Sequence, residues 1–267
     1  MDNTQYQQFL LERELAKKLL HTTVNERKTA YKKLYSEFFD KFPKASYDSI
    51  GNITHKIEWQ MKFLKPFLHQ NSFFVEIGAG NCLLSLEVSK KVKQVVAYEV
   101  AESVPHIDNI PQNFCLKVFD GVDFHELDNS IDLVYSNDVF EHLHIEDTFH
   151  HVNQYYKMLN KGGKLVIVTP NSLTGPHDIS RNFSTKPEGF HMKEYTYLEL
   201  REILVSNGFR KIKAFAGHKK LSYFTINIRL IIALEKIYST LSLSLRYKLK
   251  NNPILLKLFA IKIVGEK

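Results

Sequence analysis

The chain has 267 residues, a formal net charge of +7, 44% hydrophobic residues and two cysteines. This length and apolar content are enough for a sizeable core, in one α/β domain or in one domain with appendages. Two cysteines cannot form a disulfide framework, and no charge-free apolar stretch approaches the ~20 residues that a membrane-spanning helix needs. The first residues lack the basic and apolar regions of a signal peptide, so we expect a cytoplasmic protein with Cys82 and Cys115 reduced and buried.

The N-terminal part is predicted to be helical and mostly polar. Residues 4–46 carry two apolar stripes at helical spacing, and a third helix is expected over residues 53–64. These helices precede the first predicted strand and could dock against the sheet or cover its ligand edge. We therefore assign residues 1–70 to an N-terminal helical cap and residues 71–267 to a second domain.

The rest of the chain is organised around a short strand followed by a glycine turn. Residues 73–77 are typical of a strand buried on both faces of a parallel sheet, and Glu76 is the acid within it. Gly78 and Gly80 then allow a sharp turn and a close approach of the backbone to a ligand. The helix predicted over residues 82–91 would direct its N-terminal amides toward that ligand.

Two further features indicate which nucleotide-type cofactor this turn could bind. A dinucleotide site requires a third glycine where Leu83 stands, so a dehydrogenase fits poorly. A second strand over residues 94–99 ends at Glu99, 19 residues after Gly80, where a carboxylate can accept hydrogen bonds from both ribose hydroxyls. An ordinary buried strand and turn without a ligand is the alternative interpretation.

The third and fourth predicted strands also end at polar residues. The third covers residues 114–119 and is followed by Asp120, and the fourth leads into Asn137. A Glu-His pair, Glu141 and His142, lies a little beyond. In a doubly wound sheet the ligand lies beyond the carboxyl ends of the strands, so these side chains belong to the edge where a ligand is expected.

Together these motifs resemble those of class I S-adenosylmethionine (SAM)-dependent methyltransferases. The resemblance covers about residues 72–170 and depends on the acid and glycines of the first turn, on the acid that ends the second strand and on the segment after the fourth strand. It implies SAM as the cofactor, bound by Glu76, Gly78, Gly80, Glu99, Asp120 and Asn137. In that family an acid after the third strand faces the adenine amino group, but Asp120 could equally close a turn before Gly121. Asn137 can reach the methionine end of the donor.

A long loop is predicted after the fifth strand, which covers residues 165–169. Residues 169–195 contain three prolines and two glycines, and their buried-type side chains favour an ordered loop. Because the loop leaves the carboxyl end of a strand, we expect it to form a wall of the acceptor pocket. Arg181 and Lys186 could bind an anionic group of the acceptor or could be exposed.

Transfer of a methyl group to an oxygen usually requires a base that removes the hydroxyl proton. Histidine suits this task, and the candidate bases are His177, His191 and His142. No metal site is predicted, because three further histidines give no ligand set with the cysteines and are interpreted as solvated surface: His144, His150 and His151.

The C-terminal part is predicted to complete the sheet. Thr196 and Glu199 form a capping box that begins a helix. A sixth strand over residues 211–216 and a seventh over residues 258–264 would form the antiparallel pair typical of the family. Between them, residues 218–256 form a helical insertion. It could be a lid or acceptor-recognition element, a helix that pads the sheet edge, or an amphipathic segment lying on an anionic membrane.

The predicted fold is therefore α/β, with a doubly wound, seven-stranded, mostly parallel, Rossmann-like sheet whose last strand is antiparallel. N-terminal helices and a helical insertion before the last strand accompany this sheet. The expected function is methyl transfer from SAM to a hydroxyl of a small-molecule or glycan acceptor, including one that carries a phosphate. A lipid- or quinone-type acceptor at a membrane surface and a non-catalytic SAM-binding protein are the alternatives.

The positive charge is concentrated after Phe209, where Glu235 and Glu266 are the only acids. No nucleic-acid-binding motif accompanies it, so nucleic acid is not an expected partner, whereas peripheral contact with a membrane stays open. The long loop and the insertion resemble those of bacterial family members, an association that favours polysaccharide biosynthesis. The oligomeric state is not predicted.

Overall fold

The computed structural model describes residues 3–42, 50–100, 109–126, 128–217, 223–249 and 251–267. Within them, one eight-stranded sheet forms the centre, in the spatial order β3-β2-β1-β4-β5-β8-β6-β7. Its strands are β1 Phe73–Ile77, β2 Gln94–Glu99, β3 Phe114–Val118, β4 Ile131–Asn137, β5 Leu159–Thr169, β6 Arg210–Ala216, β7 Phe224–Ile226 and β8 Ile261–Glu266. The helices are α1 Asn3–Leu20, α2 Val24–Lys41, α3 Ile50–Leu64, α4 Leu83–Ser89, α5 Asp147–Met158, α6 Tyr197–Ser206, α7 Ile228–Ser239, α8 Leu243–Leu249 and α9 Pro253–Phe259.

The predicted fold class is confirmed, with a correction to the strand count. Strands β3, β2, β1, β4 and β5 are parallel neighbours, and β8 runs antiparallel between β5 and β6. The additional strand is β7, which pairs antiparallel with β6 at the edge of the sheet. It lies inside residues 218–256, so the insertion expected to be helical contains a strand before α7, α8 and α9.

Both faces of the sheet are covered, because the central strands are apolar on both sides. On one face, Val75 and Ile77 pack with side chains of α5, α6 and α7. On the other face, Phe74 packs with side chains of α3 and α4. A sheet buried on both faces leaves its carboxyl edge as the place where loops can form a site.

The two halves of the N-terminal segment lie in different places. Helices α1 and α2 form a third apolar cluster with Phe190 and Met192 of the loop after β5. Arg27 of α2 is fully buried, and its Nε donates to a carboxylate oxygen of Asp147 at 3.0 Å. Helix α3 instead packs against α4 on the opposite face of the sheet. Helices α1 and α2 are therefore fastened over the loops at the carboxyl edge.

Two expectations about individual side chains are wrong. His144 and His151 are buried rather than solvated, because His144 bonds the carbonyl oxygen of Leu20 and His151 bonds that of Gly121. His150 is half-exposed at its side chain, as expected for a surface residue. Both cysteines were expected to be buried. This is confirmed for Cys82 and wrong for Cys115, which is exposed.

Candidate functional site

The glycine turn between β1 and α4 is held by hydrogen bonds to the end of β2. The amides of Gly78 and Ala79 both donate to the carbonyl oxygen of Tyr98, at 2.9 and 3.0 Å. Gly78 and Gly80 have φ values of +68° and +53°, a region that a side chain at Cβ disfavours. No atom of the described chain lies within 4 Å of the position that a Cβ on Gly80 would take. The turn is therefore open on the side where a ligand would approach.

Glu99 ends β2 with its carboxylate against this turn. The amide of Gly80 donates to Oε2 at 2.7 Å, and the amide of Val100 donates to Oε1 at 2.7 Å. Carboxylate oxygens accept hydrogen bonds. The arrangement holds these acceptor oxygens beside the open face of the turn.

Glu76 lies beneath the turn rather than on its open face. Its side chain is buried, and Ser85 of α4 donates to its Oε2 at 2.5 Å. Burial, together with the charge of Glu99, raises the pKa of Glu76 to about 8. This carboxyl group therefore joins β1 to α4 and fixes the angle at which the helix leaves the turn.

Asp120 and Asn137 follow the neighbouring strands at the same edge. Oδ1 of Asp120 accepts from the amides of Val122 and Asp123 at 2.8 and 2.9 Å, so this acid does close a turn. Asn137 donates through Nδ2 to Asp138 at 2.7 Å. Its Oδ1 is buried and has no hydrogen-bond partner among the described residues. An oxygen of this kind is available to a donor on a ligand.

His142 and His191 lie side by side although they are far apart along the chain. Their ring centroids are 4.9 Å apart and their planes are almost perpendicular. Nδ1 of His142 lies 3.0 Å from the carbonyl oxygen of Phe190, and Nδ1 of His191 lies 2.8 Å from Oε1 of Glu194. Because these oxygens only accept, each Nδ1 carries the proton and each Nε2 of a neutral ring has a free lone pair.

The charges around this pair are unequal. Burial and the neighbouring His191 lower the pKa of His142 to about 3, so this ring is neutral. Burial also opposes protonation of His191, but its hydrogen bond to Glu194 and the charge of Glu141 outweigh that effect and raise its pKa. Glu141 is buried and accepts from Thr169 at 2.8 Å, and burial with the charge of Asp138 raises its pKa to about 8.

His177 lies in the same loop but points elsewhere. Its Nε2 lies 3.0 Å from Oγ1 of Thr174, and its pKa is lowered chiefly by burial. The amide of His177 donates to Oε1 of Glu194 at 2.6 Å, the same oxygen that holds His191. Gly175 makes this possible, because a Cβ there would come within 2.0 Å of Oε2 of Glu194. One carboxylate therefore organises both histidine segments of the loop.

Beside Glu194 the loop borders an open cavity of about 390 Å³. Its lining includes Gly175, Pro176, Lys186 and Lys193. A volume of this size lies within the range of small-molecule sites. The loop predicted to form a wall of the acceptor pocket is thus ordered around a carboxylate and a cavity.

Sequence reasoning missed Tyr35, and it missed the role of Glu194 as the partner that holds Nδ1 of His191. Tyr35 is on α2, and its hydroxyl lies 3.2 Å from Nδ1 of His142, although the two residues are 107 positions apart along the chain. Its ring stacks on that of Phe190 at 4.6 Å. Glu194 stands three residues after His191, a spacing that could have suggested the pair, whereas nothing local to Tyr35 indicates its contact.

An acidic strand end beside an open glycine turn, in a sheet whose last strand runs antiparallel between β5 and β6, is the arrangement expected of a class I SAM-dependent methyltransferase. The profile of a family described as a methyltransferase domain matches residues 26–214, and the chain belongs to that family. Its cofactor is SAM. The match begins within α2, so the family includes the helix that carries Tyr35.

Solved structures show the same fold at low sequence identity. A SAM-dependent methyltransferase from Archaeoglobus fulgidus is 21% identical, covers 87% of this chain and 99% of its own, and has a TM-score of 0.53. One from Mesorhizobium loti is 13% identical, covers 79% and 98%, and has a TM-score of 0.53. Phosphoethanolamine N-methyltransferase 1 from Haemonchus contortus is 14% identical, with 92% of this chain and 50% of that chain covered and a TM-score of 0.58. No curated protein matches the sequence.

Proposed function

We propose that the glycine turn binds SAM and that the methyl group is transferred to a hydroxyl of a small molecule or glycan, including acceptors that carry a phosphate. The observation that supports the donor site is the carboxylate of Glu99 beside Gly80, on the open side of the turn. A glycan acceptor would assign the protein to polysaccharide biosynthesis. A cytoplasmic location stays a prediction from the sequence.

Five side chains or glycines would hold the donor. Glu99 would accept from the two ribose hydroxyls through its carboxylate, and Gly78 and Gly80 let the backbone approach. Asp120 would meet the adenine amino group through Oδ2, because its other oxygen already closes a turn. Asn137 would accept from the methionine end through its unpaired Oδ1. Glu76 supports the turn from below without touching the ligand.

When bound, SAM supplies an electrophilic methyl group on a sulfonium sulfur. The protein then has to orient the acceptor and receive its proton. We assign the base to His191, because Glu194 fixes its Nδ1–H and leaves Nε2 for the proton. His142 would border the acceptor beside it, and His177 would hold the loop through Glu194. Lys186 at the cavity is available to an anionic group of the acceptor.

The donor site is tested by calorimetry with SAM on wild-type protein, Glu99→Ala and a matched control, Glu87→Ala. Glu87 is on the surface of α4 and pairs only with Lys90 among the described residues, so its loss should leave binding unchanged. We expect Glu99→Ala to weaken binding about 100-fold, since two hydrogen bonds to a charged group are lost at about 1.5 kcal/mol or more each. Wild-type affinity in Glu99→Ala would refute the assignment.

The reaction is tested by mass spectrometry of products after incubating the protein and labelled SAM with a cell extract. We expect an O-methylated small molecule or glycan, and a turnover that falls in His191→Ala while SAM affinity is kept. Tightly bound SAM with no labelled product from any extract would instead favour a non-catalytic SAM-binding protein. Unchanged turnover in His191→Ala would remove it as the base.

A lipid- or quinone-type acceptor at a membrane surface is a second candidate, favoured by the exposed apolar side chains of the insertion. Leu230 and Ile237 lie one above the other on α7 and are 55% and 63% exposed, and Ile254 of α9 is 72% exposed. Arg229 and Lys236 are neighbours of the α7 pair in the chain. Among the described residues, no helix is long and apolar enough to cross a bilayer. Co-sedimentation with anionic vesicles, lost in Leu230→Glu/Ile237→Glu, would support surface binding, and no co-sedimentation would exclude it.

A further inference from the structure

Three side chains near the end of β4 converge in a way that methyl transfer alone does not require. Glu141, His142 and His191 each offer one ligand atom, and these atoms lie within 4.8 Å of one another. Two imidazoles and one carboxylate are the donor set of zinc and of other divalent transition metals. The sequence predicted no metal, because His144, His150 and His151 gave no ligand set with the cysteines. His191 is separated from the Glu-His pair along the chain by α5, β5 and most of the loop.

Each member of this cluster is oriented by an outer hydrogen bond. The Nδ1–H groups of His142 and His191 point to the carbonyl oxygen of Phe190 and to Glu194. Thr169 donates to Oε2 of Glu141. Protein metal sites use this pattern, in which a carboxylate or carbonyl fixes the imidazole tautomer and presents the other nitrogen to the ion.

The charge of the cluster also suits a cation. Glu141 is 2% exposed, and no Lys or Arg in the described part of the chain forms an ion pair with it. A buried carboxylate is costly unless it is neutralised, pairs with a cation or binds a metal. Among the described residues, protonated His191 is the cation beside Glu141, and a divalent ion at the cluster would take its place. Bonds of ~2.1 Å place the ligands of a tetrahedral ion about 3.4 Å apart, so the ligand atoms, now up to 4.8 Å apart, would approach one another by up to about 1.4 Å on binding.

We propose that Glu141, His142 and His191 form a binding site for a divalent transition-metal cation. Its use in catalysis depends on the proposed function, whereas its existence does not. A divalent cation lowers the pKa of a hydroxyl that reaches it, so the O–H proton of the acceptor would pass to solvent. The oxygen would then form a bond to the methyl carbon as the C–S bond breaks, and the sulfur would leave as the neutral thioether S-adenosylhomocysteine. The two imidazoles would then act as ligands, and the base assigned to His191 would be unnecessary.

The test begins with chelator-treated protein titrated with Co²⁺, whose visible absorption reports its ligands. We expect one Co²⁺ per chain, with affinity reduced by more than about 100-fold in His142→Ala and in His191→Ala. Glu194→Gln, which removes only an outer partner, should weaken binding by about 10- to 100-fold. The control is His150→Ala, since His150 is half-exposed and its contact is with Asp123, outside the cluster.

Retained SAM binding shows that a variant is folded. If a histidine variant fails to fold, X-ray absorption of the Co²⁺-bound wild-type protein supplies the ligand count. Two imidazoles and an oxygen support the site, whereas a shell without imidazole overturns it. Absence of Co²⁺ binding, or binding that survives in both histidine variants, overturns it as well.

Turnover separates this inference from the proposed function. Metal-dependent methyl transfer supports both. Full methyl transfer by metal-free enzyme leaves the proposed function standing and overturns a catalytic cation. One bound Co²⁺ at these residues, without methyl transfer to any acceptor, supports the site and refutes the proposed function.

Discussion

The open face of the glycine turn can be tested with a single methyl group. Gly80→Ala places a Cβ where no described atom lies within 4 Å, so the new methyl clashes with nothing in the protein itself. Gly162→Ala is a matched control, because Gly162 also has a positive φ, +83°, and no described atom within 4 Å of an added Cβ. Gly162 is near the start of β5, at the opposite edge of the sheet.

The two substitutions should cost similar stability and differ in SAM binding. A left-handed backbone costs a residue with a side chain about 1–2 kcal/mol, which lowers the melting temperature by about 2–4 °C for each kcal/mol in a protein of this size. If the donor lies against Gly80, the methyl overpacks that contact at about 1–3 kcal/mol. The dissociation constant of SAM should therefore rise roughly 5- to 150-fold in Gly80→Ala alone.

Calorimetry with SAM and thermal unfolding, both done on wild-type protein and the two variants, measure these effects. Equal SAM affinity in Gly80→Ala and Gly162→Ala would show that the donor does not lie on this turn. A much larger loss of stability in Gly80→Ala than in Gly162→Ala would mean that the methyl disrupts the fold, which would refute the open space at this turn.

Two further predictions concern buried charges. Arg27→Met leaves Asp147 without its buried partner, so urea unfolding should show a loss of about 3–5 kcal/mol, partly recovered by adding Asp147→Asn; a loss below about 1 kcal/mol would contradict the pairing. The raised pKa of Glu76, about 8, means that the native state holds a proton there that the unfolded state releases near 4.5. The contribution of this proton to the free energy of unfolding is therefore full below about pH 4.5 and is lost as the pH rises to about 8. In Glu76→Gln the free energy of unfolding should fall less over this pH range. Parallel pH profiles of wild type and Glu76→Gln would refute this.

Local patterns in the sequence were sufficient for the parts of the fold that depend on neighbouring residues. Strand β1 stops at residue 77 and strand β2 at residue 99, where their apolar runs also stop. The capping box at Thr196 is present, with both reciprocal hydrogen bonds to Glu199. The antiparallel last strand came from the family resemblance, and the short edge strand β7 was missed because three residues give too weak a periodicity.

The acceptor side could not be predicted because its contacts join distant segments. In the sequence, His144 and His151 look like part of a polar surface segment. In the structure both rings are buried, and each forms a hydrogen bond through Nε2 with a backbone carbonyl oxygen. Tyr35 reaches His142 because α2 is held over the loops by the Arg27–Asp147 pair and by apolar packing, and these tertiary contacts have no local signal. Single-residue patterns indicate which side chains could react, whereas packing decides which of them meet.

The position of β8 has a consequence for synthesis of the chain. Thr169 of β5 pairs with Ile261 of β8, so this edge of β5 stays unpaired during synthesis until β8 has left the ribosome. At ~5–20 residues per second the wait lasts several seconds, during which β5 and β6 cannot be joined through their shared neighbour. An unpaired strand edge invites pairing with other chains. The nascent protein therefore passes through an interval in which a chaperone would protect it from aggregation.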